Sequence, residues 1–177
     1  QPGDRLVDVG CGTGRNLEAV RQRYPDARLF GLDAAPVMLE TTYRRFARAG
    51  LEAPLLAQSA AEALDLPQQL GIAVADHMLF SYSLSMMDDP ALALTRASSA
   101  LAPGGSLHVV DFGPMDGLPR PFAVAMRAWL ARFGVHHRPL VAATMRQEAQ
   151  RRGGSLQRRR LAGGYAELLR LQLATPR

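Results

Sequence analysis

The sequence predicts a single α/β domain spanning residues 1–177, built as a doubly wound, mostly parallel sheet of seven strands that ends in an antiparallel hairpin. Three observations predict it. Short apolar runs alternate with segments of helical spacing through Phe112; the glycines Gly10, Gly12 and Gly14 separate the first strand from the first helix; and two alternating segments flank Gly163-Gly164 near the end. Strand and helix in alternation build βαβ units, whose parallel strands are covered by helices on both faces.

Val7-Asp8-Val9 closes an apolar strand that stops at Gly10. Alternating glycines let the backbone bend with positive φ and approach a ligand closely. A helix over residues 16–24 carries Leu17 and Val20 at helical spacing and stops before Pro25-Asp26. Arg28-Leu29-Phe30-Gly31-Leu32-Asp33 is the second strand, and a helix over 36–49 follows, with Pro36 at its start and Gly50 at its end. Leu55-Leu56-Ala57 is a third short strand and residues 72–80 a fourth. Residues 90–101 form a helix closed by Pro103-Gly104-Gly105, and 106–112 the fifth strand. Residues 155–161 and 165–173 alternate about Gly163-Gly164 and read as a hairpin.

A chain of 177 residues buries a full core without staples. The single Cys11 excludes a disulfide framework and points to a reducing compartment, the cytosol. No uncharged apolar stretch is long enough to span a membrane, and no signal peptide is visible. The net charge of +5 is uneven: residues 1–110 hold nine Arg against twelve acids, residues 111–177 twelve Arg against four. Such a basic third suits a solvated face, a lipid surface or nucleic acid. Nucleic acid is not expected, because Tyr165 is the only aromatic residue after Phe133. The four histidines lack metal-ligand spacing, and no metal is expected.

Asp8 precedes Gly10-x-Gly12-x-Gly14, a spacing unlike the Gly-x-Gly-x-x-Gly of dinucleotide sites. A carboxylate there repels a pyrophosphate and suits a ligand that brings positive charge, such as an amino acid's ammonium. Asp33 ends the second strand 19 residues past Gly14, where an acid accepts both hydroxyls of a ribose, although acids also stand before helices as caps. Adenosine joined to an amino acid describes S-adenosylmethionine.

These residues resemble the class I S-adenosylmethionine-dependent methyltransferases, a Rossmann-like family whose first motif is an acid followed by Gly-x-Gly-x-Gly. The resemblance continues through Asp33, residues 58–64, residues 76–87 and residues 101–107. It implies a cofactor-binding set that includes Asp8, Gly10, Cys11, Gly12 and Gly14, with Asp8 and the backbone at Gly10 and Gly12 at the methionine portion and Asp33 at the ribose. Ala34, Met38, Ala60 and Ala61 would surround the adenine, with Ser81 at the end of the fourth strand. Where the family commonly has Gly-Asp-Ala, this chain has Ser59-Ala60-Ala61 and lacks one acceptor, a loss of about 0.5–1.5 kcal/mol. Family members usually carry N-terminal helices that help cover the cofactor. Here the first strand begins near residue 5, so the cap is expected to be trimmed or absent and the site open.

Neither Asn-Pro-Pro-Tyr nor Pro-Cys follows the fourth strand, so methylation of nucleic-acid bases is not expected. The run 80–87, Leu107-His108-Val109-Val110-Asp111-Phe112-Gly113, Leu118-Pro119-Arg120, Trp129-Leu130 and Gly163-Gly164-Tyr165 resemble bacterial N-methyltransferases of phospholipid and betaine-lipid head groups. That branch implies a lipid amine as acceptor. An attacking amine must lose a proton, which makes Tyr82 and Asp111 the catalytic candidates; either could also bind a cationic amine. For Tyr82 a core aromatic is the competing role. Phe122, Met126, Trp129, Leu130 and Phe133 share a helical face flanked by Arg127 and Arg132, fit either to cover the sheet or to touch an anionic lipid interface. Two alternatives stay open, a methyltransferase of a soluble metabolite and a non-catalytic module that binds S-adenosylmethionine.

Overall fold

The computed structural model describes residues 2–175. Seven strands run β1 (Arg5–Val9), β2 (Arg28–Asp33), β3 (Leu55–Gln58), β4 (Ala75–Ser81), β5 (Leu101–Phe112), β6 (Ser155–Leu161) and β7 (Ala166–Gln172). Six helices join them: α1 (Arg15–Arg23), α2 (Pro36–Ala49), α3 (Leu66–Leu70), α4 (Pro90–Ser99), α5 (Arg120–Ala131) and α6 (Leu140–Arg151). The sheet order is β3-β2-β1-β4-β5-β7-β6, parallel from β3 to β5, with β7 antiparallel to both β5 and β6. The seven-stranded α/β architecture read from the sequence is the one observed.

Side-chain alternation along the central strands sends apolar groups to both faces. Val7, Val9, Phe30 and Leu32 join a core completed by Leu94 of α4 and Met145 of α6. Leu29 points the other way, to Leu17 of α1 and to Leu39 and Phe46 of α2. A third, smaller cluster lies under α5, where Ala123 and Leu130 pack with Met115, Phe112 and Tyr165.

Four boundaries depart from the sequence reading. β4 begins at Ala75, three residues later than expected, after Gly71 ends α3 in a left-handed conformation. α4 stops at Ser99, and Leu101 already pairs with Ala75 in the sheet. Pro103-Gly104-Gly105 therefore bulges within β5 instead of closing a helix, and a Cβ on Gly105 would sit 2.9 Å from the carbonyl of Asp76. Phe133 falls in the turn beyond α5, not on its face, and α3 and α6 were not anticipated. The strand order reverses between β1 and β4, which opens a crevice at their carboxyl ends.

Candidate functional site

A cleft of about 910 Å³ occupies that crevice. Of the sequence-predicted set it brings together Gly10, Cys11, Gly12, Asp33, Ala34, Met38, Ala60, Ala61, Ser81 and Tyr82. The loop after β1 forms one wall. Gly12 adopts a φ of +54°, and a Cβ built there meets no atom within 4 Å, so the backbone faces open space where a ligand can come close. Gly10 and Gly14 are held by packing, since a Cβ on either would lie 2.6 Å from Ser83 or 2.5 Å from Thr42. Gly14 is buried behind the wall as the N-cap of α1, which corrects its assignment to the cofactor surface.

Asp33 fastens this loop. One carboxylate oxygen accepts the N–H of Gly12 at 2.8 Å and the other that of Ala35 at 2.9 Å. It is not the cap of α2, whose N-cap is Ala35. Asp33 lines the cleft, and each of its oxygens keeps a lone pair beyond the one engaged. The Thr42 hydroxyl donates to the Gly12 carbonyl at 2.9 Å, and Arg45 donates to that of Thr13 at 2.8 Å.

Asp8 does not reach the cleft. Its side chain is fully buried, and neither oxygen completes a hydrogen bond, although Asn16 lies close enough to favour the charged form. Burial pushes its carboxyl up to about 7, and the charge of Asp33 adds to the rise. The expected contact of Asp8 with the ligand thus becomes influence through the Gly10–Gly12 loop, because the strand that carries it buries both faces. Cys11 packs beneath the same loop, and burial pushes its thiol up to about 12, leaving it unreactive.

At the opposite end Tyr82 stands on the cleft with a φ of +54°, a left-handed conformation costly for a side-chain-bearing residue. Its ring meets Phe112 edge to face at 4.9 Å, and Phe112 meets Tyr165 likewise at 5.6 Å. Burial, then Tyr165 and Asp111, hold the Tyr82 hydroxyl above its ordinary range, so at neutral pH it is a neutral donor and acceptor. Asp111 is displaced from its expected role. It is buried, accepts the N–H groups of Ser85 at 2.9 Å and Phe112 at 2.7 Å, and lines a separate small cavity beside His137 and Arg138 instead of the cleft. Burial raises its pKa and these bonds offset part of the rise, which makes it a clamp on the turn over 84–86.

Sequence reasoning missed Arg15, Asn16, Glu62, Met86, Met87 and Asp88, all on the cleft. Arg15 and Asn16 open α1 directly after the glycines, a position that could have marked them. Asp88 stands beside Asp89, whose carboxylate caps α4 through Leu92, and that capping signal hid its neighbour. The charged side chains on the cleft are Asp33, Glu62 and Asp88 against Arg15 alone. Among the described residues no cluster of three ligating side chains could hold a metal ion, and no helix is long and apolar enough to cross a membrane.

Residues 6–105 match the protein family described as Methyltransferase domain. Trans-aconitate 2-methyltransferase of Methylobacterium radiotolerans is 35% identical over 134 residues, 72% of this chain and 46% of that protein. Demethylmenaquinone methyltransferase of Thermus thermophilus is 34% identical over 110 residues, 62% of this chain and 48% of that protein. The chain spans about half the length of these relatives. An O-methyltransferase family protein from Burkholderia thailandensis shares the fold, with a TM-score of 0.77 at 19% identity over 98% of this chain and 52% of its own. The chain belongs to the class I S-adenosylmethionine-dependent methyltransferases, and S-adenosylmethionine is the cofactor of its family.

Proposed function

We propose that this chain transfers a methyl group to an amine, carried on a lipid head group, and that Asp33, the Gly10–Gly12 loop and the walls at Ala34, Met38, Ala60, Ala61 and Ser81 hold the cofactor. The observation that carries the reading is the sign of the cleft, where three carboxylates face one arginine and the far end is closed by the ring of Tyr82. Such a site favours cations at both poles, a sulfonium and an amine. The open space over Gly12 and the free lone pairs of Asp33 fit the cofactor, with Arg15 opposite its carboxylate.

When bound, S-adenosylmethionine supplies an electrophilic methyl group on sulfur. Held by Asp33 and the Gly10–Gly12 loop, the cofactor would offer that carbon to the lone pair of a neutral amine, and the methylated ammonium would give up its proton to water. Tyr82 orients the amine: its neutral hydroxyl accepts an N–H and its ring face stabilises positive charge. Asp111 keeps the neighbouring turn in place through Ser85. Holding the two reactants in line supplies most of the acceleration, about 7–11 kcal/mol in favourable cases.

A second reading, methyl transfer to a soluble carboxylate, is favoured by the trans-aconitate relative. Incubation with methyl-labelled cofactor and a cell extract split into lipid and aqueous fractions decides between them. Label on lipid amines is expected; label confined to aqueous acids, or in neither fraction, overturns the proposal.

A further inference from the structure

We infer that the outer face of α5, with the turn after it, is a docking surface for an anionic phospholipid bilayer. The inference does not depend on which acceptor is methylated. α5 seats only one side: Ala123 and Leu130 are buried against Met115, with Met126 partly covered beside them. Its other apolar groups point outward, with Phe122 50%, Trp129 53% and Phe133 63% exposed. Trp129 and Phe133 stack edge to face in the open, 5.1 Å between ring centres. An apolar cluster of large side chains left in water marks an interaction site.

Charge selects the partner. Residues 117–147 contain five arginines and neither Asp nor Glu. Arg120 and Arg132 have no carboxylate partner among the described residues, and Arg127 donates to the carbonyl of Pro114. Aromatic rings ringed by unneutralised arginines match the headgroup region of a bilayer with negative surface potential, where Trp sits at the interface and each Arg adds attraction.

The placement is consistent with this. Phe112 packs both beneath α5 and against Tyr82, and Arg138 donates to the carbonyl of Met87 on the cleft lip at 3.0 Å. A bilayer seated on α5 would therefore lie beside the end of the cleft where Met86 is exposed.

Trp129 is the only tryptophan of the chain, so its emission reports on this surface alone. The experiment titrates the protein with vesicles of phosphatidylcholine, with or without phosphatidylglycerol. A blue shift, quenching by brominated acyl chains, and partitioning at least about tenfold stronger on the mixed vesicles are expected. The double variant Arg120→Gln, Arg132→Gln is expected to partition about tenfold more weakly, and Phe122→Ala with Phe133→Ala to abolish the shift. Arg48→Gln, on α2, is expected to change neither. Equal partitioning on both vesicles, an unshifted emission, or a shift that grows with protein concentration without lipid, as a second copy covering the face would give, overturns the inference. Vesicle binding without methylation of any lipid amine supports the surface and removes the proposed acceptor. Methylation of detergent-dispersed lipid without vesicle binding does the reverse.

Discussion

The two ends of the cleft are built differently. At the β1–β2 end the backbone of Gly12 and Thr13 is fastened by side chains from β2 and α2: Asp33 grips the Gly12 N–H, Thr42 its carbonyl and Arg45 that of Thr13. At the β4–β5 end the wall rests on a strained Tyr82 and on a turn held by Asp111 and Arg138. The first end is pinned; beyond the second lies a basic surface with its aromatics in water. The difference teaches that the part proposed to hold the cofactor is over-determined by hydrogen bonds, whereas the part proposed to meet the acceptor is set by a few contacts.

Removing the central fastener should break the contrast most severely. Asp33→Ala frees the Gly12 and Ala35 N–H groups together and is expected to weaken S-adenosylhomocysteine binding by about 100-fold or more, measured by calorimetry. The next effect concerns the buried acid behind the loop. Asp8 titrates near ~4 in the unfolded chain and at about 7 when folded. The folded state thus holds the extra proton between these values, and stability falls as pH rises through that window. Asp8→Asn should remove the slope and stabilise the empty protein above pH ~7 by on the order of 2 kcal/mol, checked by denaturant melts across pH.

At the other end the strain itself can be read. Glycine normally destabilises relative to alanine, but at the +54° φ of Tyr82 the order should invert, with Tyr82→Gly about 1 kcal/mol more stable than Tyr82→Ala in thermal melts. Both should lose methyl transfer while keeping cofactor affinity. The smallest expected effect is a gain: Ala60→Asp adds an acceptor to the wall proposed for the adenine and should tighten cofactor binding about twofold to tenfold.

The fold was legible wherever local pattern and global role coincide. Arg28–Asp33 and Pro36–Ala49 carry their own start and stop signals, and both run as read. α6 escaped because Leu140–Arg151 mixes alanines with polar groups and buries its face only against α4 and the sheet, a partner no window of sequence contains. The start of β4 was misplaced because Ile72 is buried by tertiary packing outside the sheet. In the site, spacing marked Asp33 and the glycines but not where carboxylates point. Asp8 and Asp111 lie at strand positions that face the interior, and their roles depend on Asn16 and Ser85, which the fold brings near.

The antiparallel closure of the sheet carries a consequence for how the molecule assembles. β7 is the last strand along the chain, yet it is hydrogen-bonded on both sides, to β5 and to β6. During synthesis the outer rim of β5 stays unpaired until β7 begins to emerge, which makes its closure a long-range, late event. The strand left outermost, β6, presents Arg158, Arg159 and Arg160 in succession; Arg158 pairs with Glu167 and Arg160 with Glu167 and Asp116, so charged groups of both signs line the open rim and discourage neighbouring chains from adding to it.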